Sequence, residues 1–170
     1  MKTALLSIGS NKGKRLDNIR RSVQLLIRLK SIKVESISSI YRSDPVDDAD
    51  QPFFYNIAVS LKTRLSPHEL FQYMVHIEKV IGKEKEREKG PRRIDLDVLF
   101  YDDVVLKDDI LTIPHPSIEK RLFVLKPLME IAPFTKHPVL RKSVRDLYFN
   151  MKTDKQVKYR MPFPCLTKRK

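Results

Sequence analysis

The sequence predicts an α+β protein, an antiparallel sheet sandwiched by helices in ferredoxin-like order. Three observations predict it. The pattern of apolar residues runs β-α-β-β-α-β before it breaks into smaller pieces, which is the order of that sandwich. Two segments, 53–63 and 94–100, place residues alternately on two faces, as strands do. The chain has 170 residues, 41% of them hydrophobic, which is enough for one core and too little for two ordinary domains.

The elements follow in order. Residues 3–8 are a short apolar run closed by Gly9-Ser10-Asn11, a turn signal, and read as the first strand. From 14 to 30 the apolar positions Leu16, Ile19, Val23, Leu26 and Ile27 have helical spacing. Residues 32–41, rich in Ile, Val and Ser, read as one strand. Residues 43–51 carry Pro45 and four aspartates and read as a loop. In 53–63, Tyr55, Ile57, Val59 and Leu61 fall on one side, and Phe54, Asn56, Ala58 and Ser60 on the other. Ser66-Pro67-His68-Glu69 is a capping box with proline at the first helical position; Leu70, Met74, Ile77 and Ile81 continue that helix to Gly82. Residues 83–93 hold no apolar side chain except Pro91, so that segment is exposed. In 94–100, Ile94, Leu96, Val98 and Phe100 form an apolar face, and Asp95 and Asp97 point the other way. A hairpin-like pair at 104–106 and 110–113, a helix over 122–131 and a short helix capped by Ser143 complete a single domain spanning 1–150. The basic tail 151–170 is expected either to pack on that body or to be disordered.

Charge narrows the function classes. Lys and Arg number 34 against 21 Asp and Glu, a net charge of +13, which calls for an anionic partner: nucleic acid, a membrane surface or a nucleotide. Residues 12–33 hold eight basic residues and one acid, mostly on the solvated side of the first helix. Residues 95–109 reverse the sign, with six aspartates and a single lysine. An acidic segment directly after a basic loop is of little use to a plain nucleic-acid binder. It marks a site built from opposite charges. The apolar runs fall well short of the roughly 18 to 20 residues that span a bilayer, and the N-terminus has no signal-peptide pattern. The lone cysteine, Cys165, allows neither an intramolecular disulfide nor a cysteine-based metal cluster. A soluble cytoplasmic protein is expected.

The sharpest local feature is Gly90-Pro91-Arg92-Arg93-Ile94-Asp95-Leu96-Asp97. Residues two apart on a strand share a face about 6.6 Å apart. Two carboxylates at that spacing repel by about 2 to 3 kcal/mol at an effective dielectric of ~20. Either Arg93, two residues back, offsets this in an ordinary ion-pair ladder, or the pair holds Mg²⁺, which prefers one or two carboxylates plus phosphate oxygens and water. A basic loop beside such carboxylates suits phosphoryl transfer, where the protein mainly positions and neutralises. Neither a P-loop nor the protein-kinase motif set is present.

These residues carry a resemblance. Ile8-Gly9-Ser10-Asn11, Ser39-Ile40-Tyr41-Arg42-Ser43, Asp50-Gln51-Pro52 with Tyr55-Asn56, Ile77-Glu78, the Gly90 to Asp97 run, Pro114-His115, and Arg121 with Phe123 together resemble the 6-hydroxymethyl-7,8-dihydropterin pyrophosphokinases of folate biosynthesis, in order from residue 3 to about 149. The resemblance implies transfer of the β,γ-pyrophosphoryl group of ATP to the hydroxymethyl group of the pterin, with release of AMP. It implies that Asp95 and Asp97 are catalytic and hold two Mg²⁺ ions. It places Glu78, Lys83, Lys85, Arg92, Val98, His115 and Arg121 at ATP, with Arg92 also catalytic. It places Ser43, Asp44, Val46, Phe54, Asn56 and Phe123 at the pterin, whose flat ring would lie between the two phenylalanines.

Departures from the family pattern accompany the match. Lys83 and Lys85 stand where arginines are common, which keeps charge but loses the bidentate fork. Lys89 and Pro116 stand where aromatics are common, and Phe54 lacks the hydroxyl of the usual tyrosine. The resemblance leans to a monomer acting on small molecules, without nucleic acid or membrane. Two other classes remain open: a sheet-based RNA binder, and a nucleotide binder that keeps ATP without turnover.

Overall fold

The computed structural model describes residues 1–45, 51–82, 90–153 and 155–164. Its main sheet has six strands: β1 (Lys2–Ser10), β2 (Ile32–Ile37), β3 (Ile40–Ser43), β4 (Phe54–Thr63), β5 (Asp95–Tyr101) and, last in the chain, β8 (Val157–Met161). The order across it is β5-β1-β4-β3-β8, with β2 beside β3 on the same edge of β4, and every pair is antiparallel. With β2 and β3 counted as one strand, the body has the fourth-first-third-second order of the ferredoxin-like sandwich.

The segment expected as a single strand over 32–41 is broken at Ser38-Ser39, and the cause is polar. The Ala58 N–H donates to the Ser38 hydroxyl at 2.9 Å. The next residue turns outward, where the Glu130 carboxylate accepts from the Ser39 N–H, the Ser39 hydroxyl and the Tyr41 hydroxyl, all within 3.0 Å. Glu130 thus stitches the break to a helix on the other side of the chain.

Helices α1 (Arg15–Arg28) and α2 (Pro67–Ile81) cover one face. Their apolar stripes, Ile19, Val23 and Leu26 with Leu70, Met74 and Ile77, pack on Leu6, Ile8, Ile57, Leu61 and Val98. The capping box of α2 forms as the sequence predicts, with Ser66 and Glu69 bonding each other's backbone N–H, and Gly82 ends the helix at φ +96°. Helices α3 (Leu122–Ile131) and α4 (Val144–Asn150) cover part of the other face, against Leu5, Ala58, Leu99 and Phe100. A two-stranded hairpin, β6 (Leu106–Lys107) with β7 (Thr112–Ile113), lies beside β5.

The apolar face expected for 94–100 needs one correction. Leu6 pairs with Val98 but Leu5 pairs with Phe100, so Leu99 is an extra residue in a β-bulge. The bulge puts Leu99 and Phe100 side by side in the α3–α4 layer, while Ile94, Leu96 and Val98 stay in the α1–α2 layer. The tail also acquires structure: β8 pairs with β3, Tyr159 packs edge-on against Tyr41 at 6.1 Å, and the Lys126 ammonium of α3 donates to the Val157 carbonyl at 2.8 Å.

Candidate active site

Register places the candidate residues. Gly9 of β1 pairs with Asn56 on one side and with Asp95 on the other; Ser7 pairs with Ala58 and with Asp97. Asn56 in turn pairs with Tyr41, and Phe54 with Ser43. Alternation therefore sends Asp95, Asp97, Gly9, Asn56, Phe54 and Ser43 to one face, the face that α3 and α4 cover only in part. The Asn56 amide, 2% exposed, donates to the Ser43 hydroxyl at 2.9 Å. Gly9 is not the turn residue its sequence context suggests. It lies inside the strand, and a Cβ there would sit 3.0 Å from Asn56 Oδ1 and 3.9 Å from the Phe54 ring. Its missing side chain keeps open the floor between the amide and the carboxylates.

The aspartates take a different cation from the one expected. Arg92 Nη2 lies 2.9 Å from Asp95 Oδ2. Arg93 is exposed and turns toward Gly82, and its carbonyl accepts from the Asn18 amide at 2.9 Å. Arg92 Nε is buried without an acceptor among the described residues. Burial, then repulsion from Asp95, pushes the Asp97 carboxyl up from 3.8 to about 7, against the pull of the Arg121 and Arg92 charges. A half-buried carboxylate pair short of positive charge fits a divalent cation. Among the described residues no group of three or more His, Cys, Asp and Glu could hold a metal, so the ion would take its remaining ligands from substrate and water.

Around this pair the candidates separate by layer. Arg92 lies over the Phe54 ring at 5.8 Å, and Arg121, ahead of α3, over Phe123 at 5.7 Å. The His115 ring accepts from the Ser117 N–H at Nδ1, so its proton is on Nε2. Burial and the Arg121 charge hold its pKa below the usual value, which keeps it neutral. Glu78 comes from the opposite layer. Buried on α2, it accepts from the Leu96 N–H at 2.9 Å, between the two aspartates, and so fixes the strand that carries them. The Val98 side chain is in the α1–α2 core, on the edge strand β5. Asp44 is exposed, 4.0 Å from Arg42. Val46, Lys83 and Lys85 lie outside the described residues.

Two groups escaped the sequence reading. Asn11 lies ahead of Lys14, the residue that precedes α1, and is a buried junction. Its Oδ1 accepts from the Arg92 N–H at 2.7 Å, and its amide donates to Gln51 at 3.2 Å. It thereby ties the arginine to the segment before β4. Thr153, Lys155, Gln156 and Val157 of the tail also reach this region, and their lack of periodicity hid them.

Comparison with known proteins gives consistent relatives. The family model of 7,8-dihydro-6-hydroxymethylpterin-pyrophosphokinase matches residues 5–133. The chain is similar to the 2-amino-4-hydroxy-6-hydroxymethyldihydropteridine pyrophosphokinase of Aquifex aeolicus, 36% identical over 168 residues and 99% of each chain. The Bacillus subtilis protein of the same name is 42% identical over 128 residues, 75% of this chain and 77% of that one. The chain spans about a fifth of longer relatives such as the folic acid synthesis protein of Schizosaccharomyces pombe, at 37% identity over 85% of this chain and 20% of that one. In fold it is similar to a wild-type Plasmodium falciparum HPPK-DHPS solved with pteroate, with a TM-score of 0.68 and 18% identity over 87% of this chain and 44% of that one.

Proposed function

The chain belongs to the 7,8-dihydro-6-hydroxymethylpterin-pyrophosphokinase family, pyrophosphokinases of folate synthesis, and on that premise we propose that it moves the β,γ-pyrophosphoryl group of ATP to 6-hydroxymethyl-7,8-dihydropterin. The hydroxymethyl oxygen bonds to the β-phosphorus, the bond from that phosphorus to the α,β-bridging oxygen breaks, and AMP leaves. The observation that carries the reading is the place of Gly9, with the Asn56–Ser43 pair on one side and the aspartates on the other. Two strand spacings, about 10 Å, separate a hydrogen-bonding surface for a flat acceptor from a carboxylate pair for a metal-bound triphosphate.

Each group has a part. Asp95 and Asp97 would hold two Mg²⁺ ions. When bound, these would neutralise the phosphate oxygens and lower the charge that the attacking hydroxyl meets. Arg92 and Arg121 bind the phosphates, and the Arg92 Nε, which has no acceptor among the described residues, gains one when a phosphate oxygen arrives. Neutral His115 donates from Nε2 to a phosphate oxygen. Asn56 and Ser43 fix the ring edge, and Phe54 and Phe123 supply apolar faces that exclude water. Lys83 and Lys85 bring further positive charge, Glu78 and Val98 support the nucleotide side, and Ser43, Asp44 and Val46 border the acceptor. We read the protein as a cytoplasmic monomer on small molecules, without nucleic acid. Among the described residues no helix is long and apolar enough to cross a membrane.

Incubation with ATP, Mg²⁺ and the hydroxymethyl dihydropterin tests this. AMP and the pterin diphosphate should appear in equal amounts and only with all three present. ATP binding without AMP formation, or salt-steep RNA binding alone, would refute the assignment.

A further inference from the structure

A cavity of about 320 Å³, near the lower end of the size of ligand sites, opens beside the acceptor residues. Ser43, Asp44, Arg121 and Phe123 line it on one side, and the C-terminal segment, including Lys155 and Val157, lines it on the other. That segment lies beyond the residues that the family model matches. It is held in place from two directions. Val157 pairs with Ser43 in the sheet and is 6% exposed, and its carbonyl accepts from Lys126 of α3. Ahead of it, the Lys155 N–H donates to the Thr153 hydroxyl at 3.1 Å.

Distance along the sheet tells which part of a substrate this wall meets. The aspartates and β8 are at opposite ends of the order β5-β1-β4-β3-β8, four strand spacings or about 19 Å apart. An acceptor whose hydroxymethyl group reaches the aspartates, with its ring over Asn56 and Ser43, turns its far edge toward β8. In a 2-amino-4-hydroxy-6-hydroxymethyl dihydropteridine, as the A. aeolicus relative's name describes its substrate, that far edge carries an oxygen and an amino group. The cavity wall offers partners for both, cationic donors and the Asp44 carboxylate. An ammonium has three donors and no acceptor, and an ionised carboxylate only accepts. Lys120, Arg121 and Lys155 outnumber Asp44 on the cavity wall, so an electronegative edge is favoured there.

We propose that the C-terminal segment completes the acceptor site, and that Lys155 determines specificity by donating to the 4-oxygen of the heterocycle while Asp44 accepts from its amino group. This inference rests on the pyrophosphokinase reading. The test is steady-state kinetics of the full chain, parent against Lys155→Met and Lys155→Arg, with the natural acceptor and an analogue lacking the 4-oxygen. Lys155 is exposed, and equal thermal unfolding midpoints check that the variants fold. For Lys155→Met the acceptor KM should rise about 10-fold, the loss of one hydrogen bond from a charged donor. The KM for ATP should hold, and kcat should change much less than the acceptor KM. Lys155→Arg should recover most of the loss, and the analogue should bind parent and Met variant alike. An unshifted acceptor KM, a loss confined to kcat, or an analogue penalty equal in parent and variant would overturn the proposal. If the parent releases no AMP, the pyrophosphokinase reading fails. If it releases AMP while the acceptor KM ignores Lys155, only this proposal fails.

Discussion

Asp97→Asn should stabilise the metal-free protein while it removes most turnover. Burial and the neighbouring Asp95 raise the Asp97 carboxyl from 3.8 to about 7. Below pH ~4 both the folded and unfolded states hold the proton, and the site costs nothing. Between about 4 and 7 the unfolded chain releases the proton and the folded one keeps it, so stability falls by about 1.4 kcal/mol for each pH unit. Above about 7 the loss levels off at a ceiling of about 4 kcal/mol, which solvent at the open face of the site reduces. Asparagine keeps the shape and removes the charge. Urea unfolding in EDTA at pH 5 and pH 8.5 measures the effect. His115 and His137 have lowered pKa values and act in the opposite direction over part of this range, but they are common to both proteins and cancel in the difference. The variant's gain over the parent should be about 1 kcal/mol at pH 5 and about 2 to 4 kcal/mol at pH 8.5. Added Mg²⁺ should stabilise the parent more than the variant. Equal pH dependence in the two proteins would refute the reasoning. So would near-parental AMP release by the variant.

Three further outcomes are expected. Arg92→Ala should lower AMP release by about 10²-fold or more, since it removes a charge donor at the transferred phosphates, and unchanged kinetics would dismiss that role. Gly9→Ala should press on Asn56 Oδ1 and loosen the bond to Ser43, raising the acceptor KM about 3- to 10-fold, while thermal unfolding moves little because alanine is the better strand residue. Glu130→Ala should release Ser39 and Tyr41 and lower stability by about 2 kcal/mol, or about 4 to 8 °C in melting temperature, with AMP release per folded molecule retained.

Much of the layout was legible because it rests on period. Alternation in 53–63 and 94–100 identified which residues share the site face, and the capping box with Gly82 bounded α2. The sequence misled where a polar group or one extra residue interrupted the period. Ser38, bonded to Ala58 across the sheet, and Ser39, bonded to Glu130 of α3, divided the strand over 32–41, and no apolar pattern encodes that. The bulge at Leu99 moved Phe100 to the opposite layer, because parity counts residues and a bulge adds one. The choice of Arg92 over Arg93 as the partner of Asp95 depends on how Asn11, far away in sequence, pins the loop. Spacing within eight residues carries no trace of it. β8 was missed because an exposed, charged edge strand has only Val157 to bury.

The bulge at Leu99 also acts as a safeguard against misassembly. Without an irregularity, β5 could slide by one residue along β1, and every side chain would change sides. Asp95 and Asp97 would then enter the α1–α2 layer and be charged among leucines and isoleucines. With the extra residue in place, Leu99 and Phe100 together fill the α3–α4 layer, and no shifted alignment satisfies both layers. The strand that carries the two aspartates is thus indexed from its far end, by two apolar residues of the α3–α4 core. A one-residue insertion or deletion between Asp97 and Phe100 should be far less tolerated than one in the β6–β7 turn.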